Sequence, residues 1–277
     1  MEIRKALRRI VKNKLTLVGG LLIAAMIIIA LFAPVLAPYD PLKQNIRMRL
    51  SPPSTTHFFG TDALGRDVLS RIIYGSRISL LTGIFVVGTA ALVGTTLGGL
   101  AGYFRGWFDQ VVMRIVDVFL AFPGMILALA IAGVLGPGLF NVMIALAITS
   151  WPSYCRVVRS VVLSIREKEY VEGARAIGVS DWRIVWRHVL PNCLPPVFVL
   201  ASMGMGVVIL AAAGLSFLGL GAQPPNPEWG SMLNAAKSNI MRAPYLSIFP
   251  GLAILVSVLG FNFLGDGLRD VFDPKSR

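Results

Sequence analysis

The sequence predicts an all-α membrane protein that crosses the bilayer six times. Of its 277 residues, 55% are hydrophobic and 14% are charged, whereas soluble domains carry about 25% charged residues. The mean hydropathy is +0.72. Five long segments contain no charge at all: Leu15–Tyr39, Ile78–Phe104, Val118–Cys155, Val189–Pro227 and Ala243–Gly265. A soluble protein of this size could not bury them, and the composition also excludes a disordered chain, a collagen-like fibre and a disulfide scaffold.

The number of crossings follows from the length of each segment. A membrane helix needs about 20 apolar residues, so the first, second and last segments provide one helix each. Val118–Cys155 is too long for one helix, and Gly136-Pro137-Gly138 predicts a tight turn within it. Proline clusters at both ends of Val189–Pro227 leave room for one helix. The predicted membrane helices are 15–37, 79–103, 114–135, 140–163, 194–220 and 245–266.

Small residues in the second predicted helix indicate close packing. Gly94, Gly98 and Gly102 recur every fourth residue and therefore share one face. Small residues at that spacing let two helix backbones approach closely in a membrane. We predict that this face contacts another helix, and that Pro123 and Pro152 are positions at which their helices could kink.

The cations are concentrated on one side of the predicted bundle. With the N-terminus inside, 18 of the 26 Lys and Arg residues fall in inner segments and 8 in outer segments. Basic loops stay in the cytoplasm, so both termini are predicted to be cytoplasmic. The six cations of residues 1–14 are interpreted as a topology anchor beside anionic lipid. The net charge of +12 does not indicate nucleic-acid binding, because no separate basic domain is present.

The membrane interior lacks the groups of an autonomous pump. Secondary transporters place ionisable groups deep in the bilayer, but here only Asp117 and Asp266 lie within reach of the predicted helices. Each lies about one helical turn from the predicted inner face and can pair with a basic residue three positions away, Arg114 or Arg269. We therefore predict that Asp117 and Asp266 form ion pairs at helix ends. The alternative is that they couple transport to proton movement.

The chain also lacks the residues of an enzyme. It contains no Gly-x-x-x-x-Gly-Lys-[Ser/Thr] loop and no discernible nucleophile–base set. His57 and His188 stand alone without metal-ligand spacing. Cys155 and Cys193 both fall near predicted cytoplasmic helix ends, so no disulfide is implied. No catalytic, cofactor or metal site is assigned to this chain, and energy for active transport would enter through another subunit.

Two short amphipathic helices are predicted between the fourth and fifth membrane helices. In the first, an apolar stripe at i, i+4 and i+7 is formed by Tyr170, Ala174 and Ile177, with Glu169, Glu172 and Arg175 on the other face. Gly178 is a suitable residue to end this helix. Ser180 or Asp181 can cap the next helix, whose apolar stripe is formed by Trp182, Val185 and Val189. The pair is either a docking knob for another subunit or a membrane-surface element.

The order of residues in this segment resembles a family motif. Glu172-Gly173-Ala174, a gap of three, Gly178, a gap of eleven and Leu190-Pro191 resemble the "EAA" loop of ATP-binding-cassette importer permeases. In that family the loop forms a coupling helix that docks into a groove on the ATPase subunit. Gly173 departs from the family's Ala and loosens the helix by about 1 kcal/mol, and His188 stands where the family has Ile.

Three further stretches are similar to the dipeptide/oligopeptide/nickel permeases, specifically to their "C"-type subunit. They are Phe59–Leu80, Gly214–Gly230 with its Gln223-Pro224-Pro225 loop, and Gly265–Asp270 with Asp273-Pro274. The resemblance covers the chain from about residue 57 to its end. It implies the type I importer permease fold in the cell membrane of a prokaryote.

The resemblance also implies partners and a function. The chain would form half of a translocation pathway for peptides, paired with a second homologous permease subunit. Two ATPase subunits that bind ATP and Mg²⁺ would drive it, and an extracytoplasmic solute-binding protein would deliver cargo. Contact with the ATPase would lie in the coupling loop, at Glu169, Glu172, Gly173, Ala174, Gly178, Leu190 and Pro191.

The resemblance suggests two regions along the chain. Residues 1–78 would hold a retained anchor helix, longer than the core of a signal peptide, and an extracytoplasmic loop with an interfacial helix. Residues 79–277 would form the core permease domain, with five membrane helices and the coupling loop 164–191. Nickel or glutathione as cargo is an alternative to peptides. A secondary transporter or channel acting alone, and a membrane-embedded enzyme, are the other classes considered.

Overall fold

The computed structural model of the chain describes residues 14–272. Within that range the regular elements are helices, apart from one isolated β-bridge between Thr61 and Asp67. The all-α prediction is confirmed. The cations of residues 1–13 and Asp273-Pro274 lie outside the described residues, so their assigned roles stay predictions.

Eleven α-helices follow one another along residues 14–272. They are α1 (Lys14–Leu31), α2 (Ala33–Leu36), α3 (Val68–Phe104), α4 (Gly106–Ala121), α5 (Gly124–Leu135), α6 (Leu139–Ile165), α7 (Glu169–Ala176), α8 (Asp181–Ile184), α9 (Leu190–Phe217), α10 (Trp229–Ala236) and α11 (Tyr245–Phe272). Short 3-10 turns at Ile46–Met48 and Lys237–Asn239 and a π turn at Val185–Val189 lie between them.

The polytopic membrane fold is confirmed, but the number of six crossings is not. In the described part of the chain, four helices are both long and apolar enough to cross a bilayer: α1, α3, α9 with the turns before it, and α11. The bent pair α4–α5 makes a fifth candidate. α6 has 27 residues, which extend about 40 Å, but Arg156, Arg159 and several hydroxyl groups in its second half lower its apolar character.

α3 begins earlier than predicted. The predicted interfacial helix and the second predicted membrane helix form one continuous helix of 37 residues. Its N-cap is Asp67, whose carboxylate accepts hydrogen bonds from the Ser70 backbone N–H at 2.8 Å and the Ser70 hydroxyl at 2.7 Å. The cap fixes the first turn at residue 68, and no proline follows to stop the helix. The division of the chain at residues 78 and 79 stays a prediction, and it falls inside this helix.

The helix predicted over 114–135, with a possible kink at Pro123, is divided into two helices. α4 and α5 are bent by 93° at a break between Ala121 and Gly124. The backbone of Phe122 is extended, with φ −94° and ψ 143°. The cause is Pro123, which lacks an N–H and disfavours helical geometry in the residue before it. The kink predicted for Pro123 is therefore a complete break.

The tight turn between α5 and α6 is confirmed. Gly136 has φ 85° and Gly138 has φ 158°, values that side-chain-bearing residues rarely adopt. The Asn141 amide donates to the carbonyl of Leu135 at 2.9 Å and to that of Gly136 at 3.0 Å. Because a side chain of α6 satisfies the last carbonyls of α5, the two helices form a closed hairpin.

The glycine face of α3 packs against α6, as predicted. A Cβ atom built on Gly94 would lie 2.5 Å from the Cβ of Tyr154. One on Gly98 would lie 3.0 Å from the Cα of Cys155 and closer still to its carbonyl oxygen. Gly102 also approaches α6, with Val162 Cβ at 3.0 Å. Backbone contact of this kind requires glycine at these positions.

α1 packs against α11 through a second close approach. A Cβ atom on Gly19 would lie 2.7 Å from the backbone nitrogen of Leu264 and 2.8 Å from the carbonyl oxygen of Gly260. α11 in turn packs against α9. The first apolar helix is thereby part of the bundle, with Ile23 and Met26 buried in the main core.

The predicted ion pair of Asp117 is wrong. Its carboxylate accepts from Arg156 at 2.6 Å, and Arg114 forms no ion pair within residues 14–272. α6 packs against α4 and brings a basic side chain closer than the one on the same helix. The predicted pair of Asp266 with Arg269 is likewise not formed in the described part of the chain.

Glu228 is a buried carboxylate that caps α10. The residue is 4% exposed, and its two oxygens accept from the N–H groups of Gly230 at 2.9 Å and Ser231 at 2.7 Å. Burial raises the pKa of the Glu228 carboxyl above its ordinary value, and the two N–H donors act in the opposite direction. The charged Glu228 carboxylate therefore caps the helix despite the free-energy cost of removing it from water.

Loss of this cap is expected to destabilise the protein. Glu228→Ala leaves the buried Gly230 N–H and the partly buried Ser231 N–H without an acceptor, at about 1–3 kcal/mol, whereas Glu228→Gln keeps one oxygen and loses less. Because the folded state holds the Glu228 proton more tightly, wild-type stability should fall as pH rises from the ordinary glutamate pKa through the raised value. Thermal unfolding of detergent-purified protein across that range measures both effects, and an equal pH slope in the Gln variant would contradict the assignment.

Candidate functional site

Residues 167–189 fold into a compact unit, here called the knob, between α6 and α9. The predicted first helix is present as α7, and it ends where predicted. Gly178 has φ 79° and donates its N–H to the Arg175 carbonyl at 2.9 Å, while Val179 donates to Ala174 at 3.0 Å. This pair of bonds is the Schellman motif, which favours glycine at the position after the helix.

The inward face of α7 differs from the predicted stripe. Val171 is fully buried, Ala174 is half-buried, and Tyr170 and Ile177 are exposed at 49% and 81%. α7 has only eight residues, so one large apolar side chain is enough to anchor it. The helix therefore has apolar residues on two faces, and the larger ones, Tyr170 and Ile177, lie on the face that points outward.

The second short helix also differs in part. Val185 and Val189 are buried as predicted, but Trp182 is 57% exposed and lies with its ring centroid 5.7 Å from that of Phe104. Ser180 occupies the N-cap position without a capping hydrogen bond from its side chain. The turn that follows α8 is a π turn, a form frequent at functional sites.

The knob exposes four large apolar side chains, here called the apolar rim: Tyr170, Ile177, Trp182 and Trp186. They lie within 17 consecutive residues. Burying each of them against a partner would contribute about 1.5–3 kcal/mol. Exposed apolar side chains concentrated in a short segment are typical of interaction sites, so the knob is suited to bind another protein.

The predicted acidic residues lie beside this rim. Glu169 and Glu172 are exposed in the first turn of α7, where negative charge is favourable. Neither forms an ion pair in the part of the chain that the structure describes. A Cβ atom on Gly173 would meet nothing within 4 Å, so the departure from the family's Ala has no steric cause. A Cβ atom on Gly178 would also meet nothing within 4 Å, but its positive φ favours glycine.

The last two predicted site residues lie away from α7. Leu190 begins α9 and packs onto α3, since a Cβ atom on Gly99 would lie 2.6 Å from its Cδ2. Pro191 occupies the first turn of α9, as predicted. Of the seven predicted site residues, five from Glu169 to Gly178 thus share one structural unit. Leu190 and Pro191 instead join that unit to the bundle.

Sequence reasoning missed Tyr103, which holds the knob from the end of α3. Its hydroxyl donates to the Asp181 carboxylate at 2.5 Å, and the Arg175 guanidinium donates to the phenol oxygen at 3.3 Å. These partners lie 78 and 72 residues away in sequence. No local pattern marks such a contact, because only the fold brings the three side chains together.

A cavity of about 500 Å³ lies between α6, α9 and α11. Its lining residues are Val157, Pro195, Pro196, Val199, Leu200, Met203 and Arg269. The walls are mostly apolar, with one cation at the edge. No group of three His, Cys, Asp or Glu side chains suited to a metal ion occurs among residues 14–272.

Comparisons with known proteins are consistent with this geometry. Residues 94–277 match the family described as "Binding-protein-dependent transport system inner membrane component", and residues 3–53 match the "N-terminal TM domain of oligopeptide transport permease C". The dipeptide transport system permease protein DppC of Alkalihalophilus pseudofirmus is 49% identical over 274 residues, which cover 99% of this chain and 90% of the relative.

Two further relatives are glutathione transport system permease proteins named GsiD. The protein of Pectobacterium atrosepticum is 49% identical over 273 residues, covering 98% of this chain and 91% of its own. The protein of Escherichia coli O157:H7 is 48% identical over 269 residues, covering 97% and 89%. The similarity therefore extends over nearly the whole of each chain.

Proposed function

Because the chain belongs to the family of inner-membrane components of binding-protein-dependent transport systems, we propose that it forms half of the translocation pathway of an ATP-binding-cassette importer for short peptides. A second homologous permease subunit would supply the other half. Two ATPase subunits would bind ATP and Mg²⁺, which have no assigned site in this chain. An extracytoplasmic solute-binding protein would deliver the cargo, and both termini would lie in the cytoplasm.

The cargo assignment follows from the chemistry that the relatives' names share. One relative is named for dipeptide transport and two for glutathione transport. Glutathione is itself a tripeptide, so a backbone of two or three residues is common to both. A short peptide is therefore the proposed cargo class, with nickel as the alternative.

The knob is the proposed contact with the ATPase. The observation that carries this assignment is its two-sided construction: Val171, Ile184 and Val185 anchor it to the bundle, while the apolar rim faces outward. Glu169 and Glu172 add exposed carboxylates to the knob, and a groove on an ATPase could bind both kinds of group. Gly178 sets the angle between the two short helices.

The proposed mechanism is mechanical. ATP-driven closure of the ATPase subunits would move the knobs of the two permease subunits toward each other. Packed helices would pass this motion to the pathway and switch it between inward-facing and outward-facing states. The cavity beside Pro195 and Arg269 lies along α9 and is the candidate entrance to that pathway from the knob end.

The loops at the other end are the proposed docking surface for the solute-binding protein. Arg71 joins two of them, since its guanidinium donates to the carbonyl of Pro41 at 3.0 Å and to that of Pro225 at 3.3 Å. The Trp229 indole donates to the Ile72 carbonyl at 3.1 Å. These bonds make the separate loops one continuous surface.

The deciding experiment is co-expression of the chain with the permease, ATPase and solute-binding proteins encoded beside it. The purified complex in proteoliposomes should take up radiolabelled alanylalanine or glutathione only with ATP inside and solute-binding protein outside. ATP-independent uptake by this chain alone would favour a secondary transporter or channel and contradict the proposal.

The apolar rim provides a sharper test. Ile177→Asp should weaken binding of the ATPase subunits roughly thirtyfold and so lower their recovery with the complex, because truncating an interface hot spot removes about 2 kcal/mol or more. Ile177 is 81% exposed, so the change leaves the fold of this chain intact. The matched control is Ile46→Asp, an isoleucine 57% exposed in the loop before α3. Equal ATPase recovery from the two variants would refute the assignment.

A further inference from the structure

α3 carries fixed contacts at both of its ends. Its 37 residues extend about 55 Å. Its first turns hold the loops described above through Arg71 and Ile72. Its last turn holds the knob through Tyr103. One rigid element therefore joins the two ends of the bundle.

The Tyr103 phenol contacts both short helices of the knob at once. The residue is 3% exposed. Its oxygen donates to Asp181 of α8 at 2.5 Å and accepts from Arg175 of α7 at 3.3 Å, and the Arg175 guanidinium carbon lies 4.9 Å from the centroid of the ring. Both bonds involve an ionised partner, which makes them stronger than bonds between neutral groups. The phenol thus bridges the two sides of the Gly178 turn.

Two further contacts hold the same end of α3. Arg166 donates to the Tyr103 carbonyl at 2.7 Å, satisfying a carbonyl in the last turn of the helix. Arg105 pairs with Glu167 at 3.1 Å. These contacts fix α3 to the end of α6, but neither reaches α7 or α8. Among the hydrogen bonds and ion pairs of residues 14–272, the link from α3 to both short helices passes through the Tyr103 hydroxyl.

We propose that Tyr103 is a positioning residue that couples rotation of the knob to displacement of α3. The inference rests on the proposed function, since it takes the knob to be the part that an ATPase moves. When α7 and α8 turn as a unit, the two hydrogen bonds oblige the end of α3 to follow. Without the hydroxyl, the Tyr103 ring keeps its contact with the Arg175 guanidinium but has no hydrogen bond to α8, so the two short helices can shift with less displacement of α3.

The test uses the complete importer complex in nanodiscs. Coupling between sites is reciprocal, so ATP with vanadate on the ATPase subunits should tighten binding of the solute-binding protein at the opposite end. The readout is that tightening factor, the ratio of the two dissociation constants. Tyr103→Phe removes one oxygen and should reduce the factor roughly tenfold, while the ATPase subunits still co-purify in wild-type proportion.

Two variants make the result specific. Tyr154→Phe is the matched control, since Tyr154 is a buried tyrosine of α6 whose hydroxyl has no hydrogen bond within the described residues; it should keep the full factor. Asp181→Ala removes an exposed acceptor and should lower the factor alone, yet add little to Tyr103→Phe, because both changes remove the hydrogen bond between Tyr103 and Asp181.

The outcomes separate the inference from its premise. An unchanged factor in Tyr103→Phe, even with a lower Tm, would overturn the inference and leave a merely structural tyrosine. An equal loss in Tyr154→Phe, or full additivity with Asp181→Ala, would overturn it as well. If the wild-type chain retains no ATPase subunits, the proposed function itself fails, and the inference fails with it.

Discussion

Gly178→Pro is expected to abolish uptake while leaving the chain in the membrane. Proline fixes φ near −65° and has no N–H, whereas Gly178 has φ 79° and donates to the Arg175 carbonyl. The substitution therefore removes the Schellman turn, at about 3 kcal/mol or more, and changes the angle between α7 and α8. We expect transport to fall below one hundredth of the wild-type rate, as measured by ATP-dependent peptide uptake, with loss of ATPase co-purification.

The control for this change is Gly178→Asn. Asparagine adopts left-handed backbone geometry more readily than other side-chain-bearing residues, and a Cβ atom at residue 178 meets nothing within 4 Å. This variant should retain most uptake. Membrane fractionation should recover both variants in wild-type amount, because the altered turn lies outside the bundle. Normal uptake by Gly178→Pro would show that the knob does not couple transport to ATP hydrolysis.

Gly98→Leu is expected to prevent folding of the bundle. A Cβ atom there would already lie 3.0 Å from Cys155 Cα, so a whole leucine side chain would have to separate α3 from α6. Overpacking against backbone cannot be relieved by rotamer changes, and we expect a loss of more than about 4 kcal/mol. Total stabilities are about 5–15 kcal/mol. Size-exclusion yield and the Tm of the purified chain measure the effect.

Gly88→Leu is the matched control on the same helix. A Cβ atom on Gly88 meets nothing within 4 Å, and the residue is exposed. The same change in size and apolar character should therefore alter yield and Tm little. If Gly98→Leu and Gly88→Leu gave monodisperse protein with the same Tm, the close approach of α3 and α6 would not be required for stability.

Much of the fold could be predicted because its determinants are local. Uncharged segments of fixed length specify membrane helices, and Gly94, Gly98 and Gly102 share a face by helical period alone. Gly136 and Gly138 mark a turn by their own backbone freedom, as does Gly178. In each case the signal lies in the residues themselves, even where the partner, as for the glycine face of α3, lies far along the chain.

The predictions that failed depended either on the strength of a local effect or on a contact with a residue far along the chain. The sequence predicts a kink at Pro123, but the extended backbone of Phe122 breaks the helix completely. Helical period cannot distinguish a kink from a break. Asp117 had Arg114 on its own helix, and the helix packing supplied Arg156 instead.

The candidate site shows the same division. The turn at Gly178 was predictable, whereas the orientation of α7 depends on Val171 meeting the bundle. Tyr103 has no sequence pattern of its own, because its role depends on Arg175 and Asp181 arriving from far along the chain.

The closed hairpin of α5 and α6 has a consequence for biosynthesis. α5 has 12 residues and extends about 18 Å, well short of a hydrocarbon core about 30 Å thick. On leaving the ribosome it is too short to be retained by the translocon as an independent segment. We expect it to partition into lipid together with α6, to which the Asn141 amide joins it through the Leu135 and Gly136 carbonyls. We therefore expect α5 to enter the bilayer only after α6 has been synthesised.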